Sequence, residues 1–377
     1  MPKTVRIPIT NVFLGGDYSG RILVGPQQQP MNVLLDTGSS ALALDGQKYK
    51  PDTKGGDEVT DLAQYDAYGD KSSWTGAVIK TKVGAGAGTT AISATEVSLA
   101  VAYEETANMF RGADGILGLA YQPLDDAFQL PQATWPKRYT QVQVRGGKKT
   151  TVVPFLTQLA DEDIAFDRVS FLTRRSFTHQ GGGGENDVLN QGVLVIGGGE
   201  ESNDLYKGDF QVAKVVADEW YNTNLKAIKV GGSLLNLHKL GPRGMPSNSI
   251  VDSGTNSLNF GPSLLAAIVE KFAPEQRTLL ATAIGGRLVA AADLDLATWP
   301  TLTFVLEGLA GDVTLDVKPS DYWQVDTGQV GAAAVAITEG QERLSILGLP
   351  LMNGYFTIFD GEGGGGKGAI KFATAVR

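Results

Sequence analysis

The chain has 377 residues, 42% of them hydrophobic and 19% charged, which supplies a sizeable core and rules out a mostly disordered polypeptide. Two lobes or one large β domain are expected at this length. A net charge of −9 excludes nucleic acid and anionic membranes as expected partners, and the lack of any cysteine excludes disulfides, thiolate metal sites and cysteine nucleophiles.

The opening residues, MPKTVRIPITNVFLGG, hold no apolar run followed by a small-residue cleavage site, and no long uncharged apolar stretch follows later. Neither an export signal nor a membrane span is expected, and with the missing cysteines this predicts a cytoplasmic protein. Gly (48) and Pro (16) punctuate short runs rich in Val, Ile, Thr and aromatics, among them residues 21–24, 77–83, 193–196 and 355–359. That texture is all-β. Helical periodicity is confined to a few segments, residues 154–161 and 262–272.

Residues 131–151, with a basic centre at 137–149, and residues 179–187 read as surface loops. His179 and His238 have no second histidine at ligand spacing, so no metal or Ser-His-Asp site is expected, and no cofactor. Gly361, Gly366 and Lys367 mimic a phosphate-binding loop. Gly368 stands where a Mg²⁺-binding hydroxyl is required and a strand follows, so a hairpin turn is predicted.

One internal repeat dominates the chain. Leu34-Leu35-Asp36-Thr37-Gly38-Ser39 recurs as Ile250-Val251-Asp252-Ser253-Gly254-Thr255, and each copy is followed by an Ile-Leu-Gly, at 116–118 and 346–348. Two lobes on one plan are expected, at 1–203 and 204–377. A further Val325-Asp326-Thr327-Gly328 lacks the apolar pair and the second hydroxyl, so Asp326 is expected in a plain hairpin turn.

Each repeat reads as a strand that delivers a carboxylate onto a tight turn, with hydroxyls able to bond the turn and the carboxylate oxygens. If the turns meet, two charges about 4 Å apart repel by roughly 4 kcal/mol at a dielectric of about 20, so the pair holds one proton between them. The ionised partner then takes a proton from water while the other donates to the oxyanion.

These four ordered motifs, LLDTGSSALAL, ADGILGLAY, IVDSGTNSLNFGP and SILGLPLMNGYFTIFD, resemble those of the pepsin-like aspartic proteases over nearly the whole chain. The resemblance implies a bilobal double β-barrel with a few short helices and a central active-site cleft. It implies Asp36 and Asp252 as the catalytic pair, with Thr37, Gly38, Ser39, Ser253, Gly254 and Thr255 positioning them, as in pepsin's shared-proton dyad. AYGDKSSWTG is similar to the family's flap, which implies Tyr68, Gly69, Asp70 and Trp74 over the substrate; Ile116, in the stretch similar to the family's N-lobe turn, is expected either in the core or on a subsite wall. A peptide or protein substrate and a pepstatin-type inhibitor are the implied partners.

The departures are specific. Ala41-Leu42-Ala43-Leu44 occupies the stretch where relatives carry a flap-supporting tryptophan, so support is expected from Trp74. Lys71 stands at a common flap glycine, Leu349 where Asp is frequent, and Arg111 near an apolar wall. The short segment before Asp36 and the missing cysteines are similar to the bacterial, cytosolic homologues made without a propeptide, and a monomer is expected. A catalytically silent peptide- or protein-binding module is the alternative reading; matched Asp turns argue against the asymmetric acids of a glycosidase.

Overall fold

The computed structural model describes residues 2–69, 71–110, 112–237 and 246–376. Asp70, Arg111 and His238 lie outside the described residues. Among the described residues most ordered ones are in strands, and three of the helices reach seven residues, Phe155–Asp161, Pro262–Val269 and Pro274–Ile284, so the fold is all-β. No helix among the described residues is long and apolar enough to cross a membrane.

The chain divides into two compact units. The first comprises Met1–Pro8, Ser19–Arg168 and Val195–Gly198; the second comprises Ile9–Tyr18, Val169–Leu194 and Gly199–Arg377.

In the first unit six strands close on themselves. Asp17–Val24 pairs with Gln29–Asp36, which runs parallel to Gly115–Gly118. That short strand pairs with Leu42–Asp45, then Ile92–Thr106, then Ser73–Ala85, and the last returns to Asp17–Val24. Closure removes the free sheet edges. The alternation in Gln29–Asp36 shows why these residues form a strand here: Met31, Val33 and Leu35 are at most 1% exposed, while Leu34 points to the other side and packs on a second cluster. Ser73–Ala85 also carries an outer ladder of Glu58–Ala67, Asp126–Gln129 and Lys148–Thr151.

The second unit holds several smaller sheets. One runs Asn222–Thr223, Ser249–Val251, Ser345–Leu347, Leu258–Phe260, Ile337–Glu339, and another runs Ser233–Asn236, Leu225–Val230, Leu302–Leu306, Val313–Val317. Stacked Phe260 and Phe304 fill its core, as do Trp299 and Trp323, edge to face at 5.0 Å. Tyr355–Asp360 and Ala369–Ala375 form the hairpin anticipated around the glycine-rich tail. Trp323–Val325 and Ala332–Val335 likewise flank Asp326, a turn residue with φ 54°.

Two segments differ from expectation. Residues 131–151 are more ordered than a loop. Thr140 and Gln143 form a capping box on a helical turn, Gln141–Arg145, and Lys148–Thr151 pairs with Asp126–Gln129. The second is the helix Pro274–Ile284, which shows no clear periodicity because Leu280 and Ala283 are its buried residues.

Candidate active-site turns and flap

The first aspartate sits where Gln29–Asp36 runs out. The pairs Leu34 to Ile116, Leu35 to Leu117 and Asp36 to Gly118 hold that strand parallel to its Ile-Leu-Gly partner. Leu42–Asp45 lies antiparallel on the partner's other side, so the strand before the turn and the strand after it clasp one central strand. Asp36 is 5% exposed; its Oδ1 accepts the Gly38 N–H at 2.8 Å and its Oδ2 accepts the Ser39 hydroxyl at 2.5 Å.

The second aspartate repeats this atom for atom within its own unit. Ser249–Val251 runs parallel to Ser345–Leu347, and Leu258–Phe260 is antiparallel to that same strand. Asp252 is 7% exposed; Oδ1 accepts the Gly254 N–H at 2.8 Å and Oδ2 accepts the Thr255 hydroxyl at 2.6 Å. Two bonds to each carboxylate fix its rotamer. Thr37 and Ser253, the intervening hydroxyl residues, are fully buried.

The glycine of each Ile-Leu-Gly packs against the turn backbone. A Cβ on Gly118 would stand 2.4 Å from the Ser40 carbonyl carbon, and one on Gly348 would stand 2.1 Å from the Thr255 carbonyl oxygen. The main chain past Gly118 bonds the first turn through Leu119 N–H to Asp36 O and Ala120 N–H to Ser39 O, both at 2.8 Å; Leu349 N–H bonds Thr255 O at 2.8 Å in the second. The paired motifs in the sequence are therefore the two halves of one backbone contact.

The flap segment is a hairpin. Glu58–Ala67 and Ser73–Ala85 pair up to Ala67 and Ser73, and the turn is closed by Tyr68 N–H to Ser72 O at 2.9 Å and Lys71 N–H to Tyr68 O at 3.0 Å. Gly69 is exposed at the tip. Lys71 has φ 70°, a left-handed conformation that costs a non-glycine residue about 1–2 kcal/mol. Replacing Lys71 with Gly is therefore expected to raise stability by about 0.5–1 kcal/mol after glycine's extra chain entropy is subtracted. A urea titration checks this, and a lower midpoint would contradict it.

Trp74 supports this hairpin. Its Nε1 donates to the Tyr68 hydroxyl at 3.3 Å, and the indole, 1% exposed, fills a cluster with Ala41, Ala43, Met109, Phe110 and Ile116. The small side chains of Ala41 and Ala43 leave the space that the indole takes up. Ile116, 1% exposed, packs inside this cluster. Burial first, then the Asp66 and Asp36 carboxylates, push the Tyr68 phenol well above its usual range, so it remains a hydroxyl; it also bonds the Ser39 hydroxyl.

Sequence reasoning missed Gln64, Asp66 and Asp125, which lie behind the flap. Gln64 and Asp66 alternate along one strand and share a face, a signal that was present in the sequence. Asp125 comes from a separate turn and has no local signal. Its Oδ1 accepts Gln64 Nε2 at 2.5 Å. Among the described residues no group of three or more His, Asp or Glu is placed to hold a metal ion.

The sequence profile of the family described as eukaryotic aspartyl protease matches residues 17–135 and 185–374. Gastricsin of Cavia porcellus is 25% identical, over 97% of this chain and 82% of that protein. Renin of Echis ocellatus is 22% identical, over 99% and 84%, and gastricsin of Suncus murinus is 24% identical, over 97% and 83%.

Proposed function

The chain belongs to the aspartyl protease family, and from that premise we propose that it is an aspartic endopeptidase in which Asp36 and Asp252 act together on one water. The observation that carries this reading is the identity of the two turns: the same backbone amide on Oδ1, the same hydroxyl on Oδ2, and the same three-strand clasp. Equal settings suit a pair that shares a proton, whereas an acid and a base with separate duties need unequal ones.

In this reading the two acids flank one water. The ionised carboxylate removes a proton from the water as it attacks the scissile carbonyl, and the protonated partner donates to the developing oxyanion. The peptide lies extended beneath the flap, with bulky apolar side chains in the central subsites, and Tyr68 covers it. Rates are highest at acidic pH and fall as the shared proton is lost. The proposal includes a monomer in the cytoplasm, consistent with a chain that has no cysteine.

Incubating the protein with a proteome-derived peptide library, with and without pepstatin, tests this. Internal cleavage next to bulky apolar residues at acidic pH, blocked by pepstatin, is expected. A rate that climbs steadily into alkaline pH would overturn the shared proton. Peptide binding without cleavage would instead establish the silent binding module.

A further inference from the structure

A small polar cavity of about 70 Å³ lies behind the Trp74 indole, lined by Gln64, Asp66, Leu124, Asp125 and Asp126 beside Ala41 and Trp74. It has room for about two waters. Asp66 is registered directly opposite Trp74 in the hairpin ladder, two residues before Tyr68. Asp125 belongs to the body of the first unit: its N–H bonds Gln122 O at 2.9 Å and its carbonyl accepts the Val152 N–H at 3.0 Å. Gln64 Nε2 bridges hairpin and body, donating to Asp125 Oδ1 at 2.5 Å and to the Asp126 carbonyl at 3.3 Å. Two carboxyl side chains, one on the flap strand and one on the surface it rests against, therefore meet at one cavity.

We propose that Asp66 and Asp125 are a proton-dependent latch: neutral, they let the hairpin rest on the body with Trp74 and Tyr68 in place, and ionised, they loosen it. The consequence for substrate rests on the reading of this hairpin as the flap; the latch itself does not. Asp66 also bonds the Ala67 N–H at 2.8 Å and interacts with the Tyr68 hydroxyl, which bonds Ser39, which in turn donates to Asp36. The latch and the first aspartate are thus joined through Tyr68.

The charges facing the pair do not neutralise it. Asp126, the third carboxylate, is paired with Lys149 at 2.6 Å, and Arg145 lies over the Tyr65 ring. Glu105, opposite Trp74 on the next strand, is exposed and accepts the Phe110 N–H. Burial first, against the bonds from Ala67 and Tyr68 and with Asp126 adding to it, raises Asp66 to about 6. Burial first, against the bond from Gln64 and with Asp66 and Asp126 adding to it, raises Asp125 to about 7. A folded-state value above the unfolded one favours docking at low pH, and that preference is lost as pH rises through about 6 to 7.

Hydrogen-exchange mass spectrometry on the full chain tests this without substrate, by following peptides that span residues 62–76 between about pH 5 and 8 with intrinsic exchange rates subtracted. Protection should fall about tenfold or more through that window in the wild type, while Asp66→Asn/Asp125→Asn stays protected throughout. Wild-type protection that is flat with pH would overturn the latch, as would a double variant that follows the wild-type curve. The wild-type series requires no variant to fold. A chain with no peptidase activity but a pH-responsive hairpin keeps the latch and loses the catalytic reading; an active peptidase with flat protection loses the latch alone.

Discussion

Asp36→Asn and Asp252→Asn, each alone, are expected to lower kcat for peptide hydrolysis by about a thousandfold or more while leaving the fold intact. General acid and base roles each contribute about 10²–10⁴-fold, and in a shared-proton pair one amide removes both roles, because the remaining carboxylate can no longer exchange its proton with a partner. The fold should survive because the carbonyl of Asn still accepts the Gly38 or Gly254 N–H, and the Ser39 or Thr255 hydroxyl can turn to accept from the new NH₂. Steady-state kinetics with a thermal melt beside it make the check. Equal losses at both positions with melting within about 5 °C of wild type would bear out a symmetric pair. A variant that retains most of its activity would show that its carboxylate is not in the machinery.

Gly118→Ala and Gly348→Ala are expected to cost about 3 kcal/mol each, near the upper end for overpacking. The added methyl meets main chain in both cases: Ser40 carbonyl carbon at 2.4 Å and Ala41 N at 2.6 Å, or Thr255 O at 2.1 Å and Ser257 O at 2.5 Å. A flexible side chain could swing aside; the backbone of the aspartate turn can yield only by moving the turn. Each variant should therefore lose activity as well as stability, since a shift of about 1 Å at a reacting group costs about a hundredfold. Gly285→Ala is the control, because its new Cβ would have Thr282 O at 3.7 Å as its nearest neighbour and the backbone there is right-handed. Denaturant melts that place all three alanine variants together would contradict the close-contact explanation.

Much of this site was legible because its determinants are local. An apolar pair, Asp, a hydroxyl, Gly and a hydroxyl specify a strand and its turn within six residues, and the repeat at 250–255 marks the same device in the second unit. The absence of a tryptophan at 41–44 pointed to Trp74, whose indole bonds the Tyr68 hydroxyl in this hairpin. The Ile-Leu-Gly runs were visible as motifs, but the reason for their glycines lies in contacts with backbone some eighty residues away in the first unit, which no local pattern encodes. The latch was invisible for the same reason: Gln64 and Asp125 are 61 residues apart, and neither shows its partner in the sequence. The helix Pro274–Ile284 and the ordered part of 131–151 went unread because few of their side chains are buried, so neither carries a strong hydrophobic period.

A crystal structure of the protein with pepstatin bound bears most directly on the pairing of Asp36 with Asp252. The inhibitor's central hydroxyl is predicted to lie within about 3 Å of an oxygen from each carboxylate, with Tyr68 over it. Asp36 and Asp252 found in separate pockets, or an inhibitor held by one of them alone, would contradict it.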